Sequence, residues 1–314
     1  MSFHTLREGD LIGVIAPAGP VAPDALPAVQ ALYARHGYRV RLYPGCHADT
    51  GYLAGPDALR LADLHAALAD DGVAAIHCLR GGYGTMRLLD GIDAGLLQRK
   101  PKLLIGYSDI TALQALWALH GLPSLHAPMP ASDLIKPGRE SDEAALFHLL
   151  RHGLQAGAVL APALAAGALH RPGEVSGRLI GGNLSLVAAL LGTPWAWRVQ
   201  QVQDTTEGQG GAILFLEDIH EELYRVDRLL THLRLAGVLN AVAGFVLGSF
   251  TEEASPAALL RDTLLPLNKP VLGGWPTGHG TPNRPLPMGL RVRLTARPDG
   301  GGQLQLLEDF LLPR

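Results

Sequence analysis

Residues 73–84, VAAIHCLRGGYG, and residues 101–110, PKLLIGYSDI, decide the fold. Each is an apolar run that breaks on glycine where a helical pattern is about to begin. The runs 73–79 and 102–106 are, His77 and Lys102 apart, apolar at consecutive positions rather than at every second residue. Both faces of such a strand are covered, as in a parallel sheet between helices. Working outward, the run 11–16, a helical pattern near 24–36, the run 39–43 and a helical pattern over 56–70 precede the first stretch. A short helix from Thr85 separates the two stretches, and a helix over 110–120 follows the second. Strands alternating with helices predict an α/β domain with a doubly wound parallel sheet over residues 1–151.

Beyond it, residues 152–173 are rich in Ala, Gly and Pro, nearly free of charge, and show neither period; they read as a linker. The rest, 174–314, reads as a C-terminal mixed α/β, strand-rich domain. Its expected elements are strands at 175–180 and 211–216, helices at 183–191 and 220–235, a run at 242–247, a helix near 256–265, and strands at 290–295 and 303–307. A length of 314 residues suits two domains of ~100–200 residues each and gives ample core without covalent staples. The 38 glycines and 23 prolines exceed the usual ~12% combined share, so many tight turns are expected.

Composition also excludes classes of function. With 26 basic and 29 acidic side chains and a formal charge of -3, the chain has no Lys/Arg stripe to neutralise phosphates, so no nucleic-acid partner is expected. The most apolar stretch, 154–169, is shorter than the ~20 residues a membrane span needs, and no basic-then-apolar leader opens the chain. The expectation is a cytoplasmic protein without a membrane partner. Cys46 and Cys78 could pair in principle, but neither has a partner at metal-binding spacing and Cys78 lies in an apolar run, so reduced core filler is expected. There is no His-Glu-x-x-His, and His220 and His232 are too far apart to share a helix face as a pair; no metal is expected.

Four fragments could carry chemistry, and each has a plainer reading. Ser108 ends an apolar strand at the mouth of a helix, where an elbow would lift its hydroxyl above the sheet beside helix N-terminal amides, as an acyl-transfer nucleophile requires. Ile110 stands where the usual Gly-x-Ser-x-Gly pattern has its second glycine, and Ser108 or Asp109 could simply cap the helix. Arg80-Gly81-Gly82-Tyr83-Gly84 could bring backbone N–H groups close to negative charge at the carboxyl end of a strand, or be an ordinary turn. Glu217 and Asp218 close a buried strand. One could orient a histidine and the other cap the next helix, or both could serve the helix. His279 sits between two glycines in a loop bracketed by prolines, free to swing or face a cleft, or merely exposed.

Taken in order, the fragments match a family. The chain resembles the LD-carboxypeptidases of peptidase family S66, whose other branch holds the microcin C immunity peptidases. The likeness runs through GDLIGVIAPAGPV (9–21), LRGGYGTMRLL (79–89), PKLLIGYSDITALQ (101–114), GRLIGGNLSLV (177–187), LFLEDIHEELYRVDRLLTHL (214–233) and GWPTGHGTPNRPLPMG (274–289). The resemblance implies a serine peptidase whose triad is Ser108, Glu217 and His279, with the backbone amides of Gly82 and Asp109 as oxyanion hole and the active site in the interdomain cleft. It further implies a cytoplasmic homodimer that releases terminal D-Ala from murein tetrapeptide or a related small peptide during cell-wall recycling, with no cofactor. Arg80 and Arg284, inside matched blocks, are candidates for the substrate carboxylate. Two alternatives stay open: an immunity-type peptidase cleaving aminoacyl or peptidyl nucleotide amides, and a non-catalytic two-lobed small-molecule binder. The resemblance gives the immunity branch a base-stacking aromatic on an extended loop. Here residues 191–211 are short, and Trp195 and Trp197 are expected to pack on the preceding helix.

Overall fold

A computed structural model describes residues 3–165, 167–197, 199, 211–251 and 255–314. They divide into two compact units, Met1–Gly153 with Arg284–Pro287 and Leu311–Arg314, and Leu154–Asn283 with Met288–Phe310.

The first unit is built on a parallel sheet. Its strands lie in the order Arg39–Leu42, Leu11–Ile15, Val73–Cys78, Leu103–Gly106 and Ser124–His126, parallel at every join. Leu286–Met288 extends the edge beyond Ser124–His126. In chain order the five parallel strands run 2-1-3-4-5, so the direction of winding reverses between the first and third. In open α/β sheets the ligand crevice lies beyond the carboxyl ends of the strands at such a reversal. The connections leaving those two strands meet there, with Gly19 donating its amide to Gly81 O at 3.1 Å.

Apolar runs become buried strands because both faces are covered. Leu103, Leu104 and Ile105 are at most 1% exposed, each contributing ~1.5–3 kcal/mol of burial. The helix Thr111–Leu119 is buried from Thr111 to Trp117, and its Gln114 and Trp117 side chains donate to Gly106 O and Lys102 O at 3.0 Å, fastening it to the strand beside it. The helices Leu26–Arg35 and Asp57–Ala69 fall inside their expected ranges. The segment from Thr85 is a 3-10 helix, Thr85–Gly91. The helices Ala94–Arg99 and Glu140–His152 and the strand Ser124–His126 were not legible from the sequence pattern.

Both cysteines are free and buried, and burial pushes the Cys46 thiol up to about 12 and the Cys78 thiol higher still, so neither is poised to react. Beside Cys78, His77 receives the Tyr33 hydroxyl on Nδ1 at 2.9 Å and faces Pro128 O with Nε2 at 3.0 Å. Those partners require the neutral tautomer protonated on Nε2.

The second unit holds an eight-stranded mixed sheet. Gly173–Asn183, Gly211–Ile219, Gly244–Thr251 and Val271–Leu272 are parallel, and Arg291–Ala296 and Gly302–Leu306 continue it antiparallel. Two departures from the sequence reading concern its margins. Residues 152–173, read as a linker, supply edge strands: Val159–Leu160 pairs with Gly302–Leu306, and His170–Arg171 with Val271–Leu272. Two-residue strands are too short to show a period, and backbone pairing needs no particular side chains. The domain read as 174–314 also gives up Arg284–Pro287 and Leu311–Arg314, which belong to the first unit; Leu311–Leu312 pairs there with Phe3–His4.

Candidate active site

Ser108 follows the strand Leu103–Gly106 and opens a 3-10 turn, Ser108–Ile110, that leads into Thr111–Leu119. Its φ is +64°, the left-handed region that L-residues enter at a cost of ~1–2 kcal/mol. Neither Ser108 nor Asp109 caps the helix: its N-cap is Ile110, without a side-chain bond. The Asp109 carboxylate instead receives the Thr85 amide at 2.8 Å, and burial raises its pKa to about 6. Capping of Thr111–Leu119 therefore does not account for the Gly-Tyr-Ser-Asp sequence, which forms a strained strand-to-helix elbow.

The glycine loop lies directly against this elbow. A Cβ on Gly81 would come within 2.9 Å of Ser108 Cβ, 3.1 Å of its Oγ and 3.5 Å of the Asp109 amide nitrogen. Gly82, at φ +119°, and Gly84, at φ +129°, carry the chain through backbone angles that favour glycine. Arg80 donates Nε to Gly81 O at 3.2 Å and Nη1 to Pro20 O at 3.1 Å, so it braces the loop. Arg284 donates Nη1 to Ser141 O at 2.6 Å. The fully buried guanidinium of Arg60, absent from the sequence-based candidates, donates to Pro17 O and to Gly84 O. Nothing in the pattern of a helical Arg distinguishes it from a solvated one.

In the second unit, Glu217 is fully buried and lies within, not after, the strand Gly211–Ile219. Its Oε2 is 2.6 Å from His279 Nδ1 and accepts the His279 backbone amide at 3.2 Å. A carboxylate on Nδ1 places the ring proton there and leaves Nε2 with the lone pair. Asp218 does not cap the helix Leu223–Leu235, whose N-cap Glu222 forms no side-chain bond. It collects Asn183 Nδ2 at 2.9 Å and the Ser185 amide and hydroxyl at 3.0 and 2.9 Å, at the start of the helix Leu184–Ala189. Burial, chiefly, raises the pKa of Asp218 to about 6.

The loop around His279 is held, not free to swing. A Cβ on Gly278 would stand 2.6 Å from Glu217 Oε2, so glycine is what lets the loop lie against the acid. Asn283 Oδ1 accepts the Gly278 amide at 3.0 Å and Ser249 Oγ accepts the Gly280 amide at 2.8 Å. Both residues escaped the sequence reading. Asn283 stands in a matched block and could have been suspected; Ser249, on the separate strand Gly244–Thr251, could not. Among the described residues no group of three or more His, Cys, Asp or Glu could hold a metal ion. Trp197 is 8% exposed and Trp195 half-buried, while residues 198 and 200–210 of the loop expected to be short lie outside the described residues.

The chain resembles known proteins in sequence and in fold. Residues 12–127 match the LD-carboxypeptidase N-terminal domain and residues 176–294 the LD-carboxypeptidase C-terminal domain. The chain is 36% identical over 304 residues to the probable murein peptide carboxypeptidase of Bacillus subtilis, covering 92% of this chain and 90% of that one. It is 34% identical over 289 residues to the murein tetrapeptide carboxypeptidase of Pseudomonas aeruginosa, covering 88% and 91%. Among solved structures, muramoyltetrapeptide carboxypeptidase from Oxalobacter formigenes superposes with a TM-score of 0.81 at 30% identity, over 97% of this chain and 100% of that one. MccF in complex with glutamyl sulfamoyl guanosine gives 0.86 at 22% identity over 99% of each chain, a likeness of fold.

Proposed function

Because the chain belongs to the LD-carboxypeptidase family, we propose that it hydrolyses the L,D peptide bond releasing terminal D-Ala from murein tetrapeptide, with Ser108 as nucleophile, His279 as base and Glu217 as the acid that orients it. The observation that carries this reading is the fully buried Glu217 carboxylate 2.6 Å from His279 Nδ1. A buried carboxylate there fixes the tautomer, stabilises the imidazolium, and leaves Nε2 to take a proton.

His279 accepts the Ser108 proton as Oγ attacks the carbonyl of the penultimate residue. The oxyanion of the tetrahedral intermediate is received by the amides of Gly82 and Asp109; one such donor is worth ~10²- to 10³-fold in turnover. His279 then protonates the departing D-Ala nitrogen, and water, activated by the same imidazole, hydrolyses the acyl-enzyme. Arg80 and Arg284 are the candidate cations for the terminal carboxylate, each with part of its guanidinium already on backbone carbonyl oxygens, and replacing the one that binds it should raise KM more than it lowers kcat. The reaction is placed in the cytoplasm and the active species is taken to be a homodimer. No helix among the described residues is long and apolar enough to cross a membrane.

The test is mass spectrometry of three compounds incubated with the purified protein: murein tetrapeptide, its all-L analogue, and an aminoacyl sulfamoyl adenylate. Release of D-Ala from the first, none from the second and slow cleavage of the third is the expected result. A higher kcat/KM on the adenylate would assign the chain to the immunity branch, and ligand binding without turnover of any compound would make it a binding protein.

A further inference from the structure

The loop 80–84 contains three glycines, two of them at φ above +100°, and glycine loses more conformational freedom on ordering than any other residue. Such a loop does not hold a backbone amide in place by its own stiffness. Its two ends are tied to the nucleophile turn. At the first end Gly81 lies against the Ser108 side chain, and Gly81 O is held by the Gly19 amide at 3.1 Å and by Arg80 Nε at 3.2 Å. At the far end Thr85, fully buried, donates its amide to Asp109 Oδ2 at 2.8 Å and its hydroxyl to Asp109 O at 2.5 Å. Asp109 is itself 3% exposed. Its carboxylate is thus desolvated for a bond to the glycine loop and does nothing for the helix it precedes, whose cap lies at Ile110. The Gly82 amide falls between the two fastened ends.

We propose that Thr85 and the Asp109 carboxylate form a positioning pair that holds the Gly82 amide in line with the Asp109 amide, and so sets the geometry of the oxyanion hole. This rests on the role given above to Ser108 and those two amides. Neither Thr85 nor the Asp109 side chain touches the substrate; they act through the backbone between them. The pair matters most when charge develops on the oxygen, because a donor misplaced by ~1 Å can cost ~10²-fold in rate while leaving ground-state binding nearly unchanged.

Thr85→Val keeps the shape and the amide and removes the hydroxyl, and Thr85→Ser returns it. On murein tetrapeptide, Thr85→Val is expected to lower kcat by ~10-fold or more with KM within about twofold, and Thr85→Ser to recover most of the loss. Asp109→Asn, which places a neutral amide opposite the Thr85 amide, should likewise lower kcat with little change in KM, and it carries the test if Thr85→Val does not fold. A wild-type kcat in the folded Val and Asn variants overturns the proposal. So does a KM that rises in step with the fall in kcat, or a loss that Thr85→Ser does not relieve. Ser108→Ala run alongside separates the two readings. If it is inactive while Thr85→Val and Asp109→Asn behave as wild type, only the positioning role fails; if it retains turnover, the nucleophile assignment falls and the positioning role with it.

Discussion

Ser108 stands at φ +64°, and that strain makes a prediction that a plain capping serine does not. Ser108→Ala should abolish hydrolysis while the melting temperature moves by only a few degrees, because a small hydroxyl contributes little packing. Ser108→Gly should be equally inactive yet more stable than Ser108→Ala by ~1 kcal/mol, since glycine enters the left-handed region without a Cβ clash. Urea denaturation of both variants beside a tetrapeptide assay checks the pair; retained turnover in either sinks the triad. Glu217→Gln keeps the volume of the acid but replaces its charge. Turnover should fall on the order of 10³- to 10⁴-fold with a much smaller change in KM, because an amide neither enforces the tautomer nor stabilises the imidazolium. Their neighbours, a strand and glycine before the serine and an apolar strand before the glutamate, make the two residues candidates in the sequence, and the family resemblance is what singles them out. Asp218 beside Glu217 was misread, because two adjacent carboxylates on one strand point to opposite faces and only the paired elements show which face meets a histidine.

At the scale of the element, the loop 277–283 owes its form to Asn283 within it and to groups outside it. Ser249 Oγ accepts the Gly280 amide and the Ser249 amide donates to Thr277 O at 3.0 Å, so the strand Gly244–Thr251 holds the loop along its length. Ser249→Ala removes the acceptor of the Gly280 amide and the hydroxyl's own bond to Thr277 O at 3.4 Å, and leaves the Ser249 amide bond in place. The expected outcome is a loss of ~1 kcal/mol in stability and a fall in kcat of ~10-fold, read from urea midpoints and steady-state kinetics. Unchanged kcat would mean that the loop keeps its form without these hydroxyl bonds. The central strands of the first unit, Leu11–Ile15, Val73–Cys78 and Leu103–Gly106, were legible because each is a largely apolar run close to glycine, unlike the edge strand Arg39–Leu42, which alternates, and Ser124–His126. The helix Glu140–His152 was not, because Glu140, Asp142 and Glu143 in its first turn and Arg151 and His152 in its last leave only a short apolar run between them, and nothing in the pattern shows that Asp142 is buried.

For the whole molecule, stability between pH 4 and 6.5 is a contest between buried groups. Burial lowers the pKa of His77 from 6.5 to about 4, so below pH 6.5 the unfolded chain takes up a proton that the folded one refuses. That contribution to stability is present above pH 6.5 and is lost as pH falls toward 4. Asp109 and Asp218 act oppositely. Burial raises each from 3.8 to about 6, so their contribution is full below pH 3.8 and is lost as pH rises through 6. His77→Gln keeps a donor for Pro128 O and an acceptor for the Tyr33 hydroxyl without titrating. Relative to the wild type it should gain ~2 kcal/mol between pH 7 and pH 5, measured by urea denaturation at both values. A relative stability that does not change with pH would remove His77 from the account. Turnover should survive EDTA; loss on chelation with recovery on adding zinc would reveal a metal site.

What the sequence by itself determined was the class of the first domain and the family, and it supplied Ser108, Glu217 and His279 as candidates. Apolar runs, glycine breaks and short blocks are local features, written in consecutive residues. Only the tertiary structure decided the 2-1-3-4-5 strand order, the return of residues 284–287 and 311–314 to the first unit, and the groups that hold the site in form. Thr85 and Asp109 are 24 residues apart, Ser249 and Gly280 are 31, and Asn183 and Asp218 are 35. A buried hydrogen bond between such residues leaves no period and no spacing rule in the chain. It exists because folding removes water from both groups at once, and each must then find its partner wherever the packing has brought one.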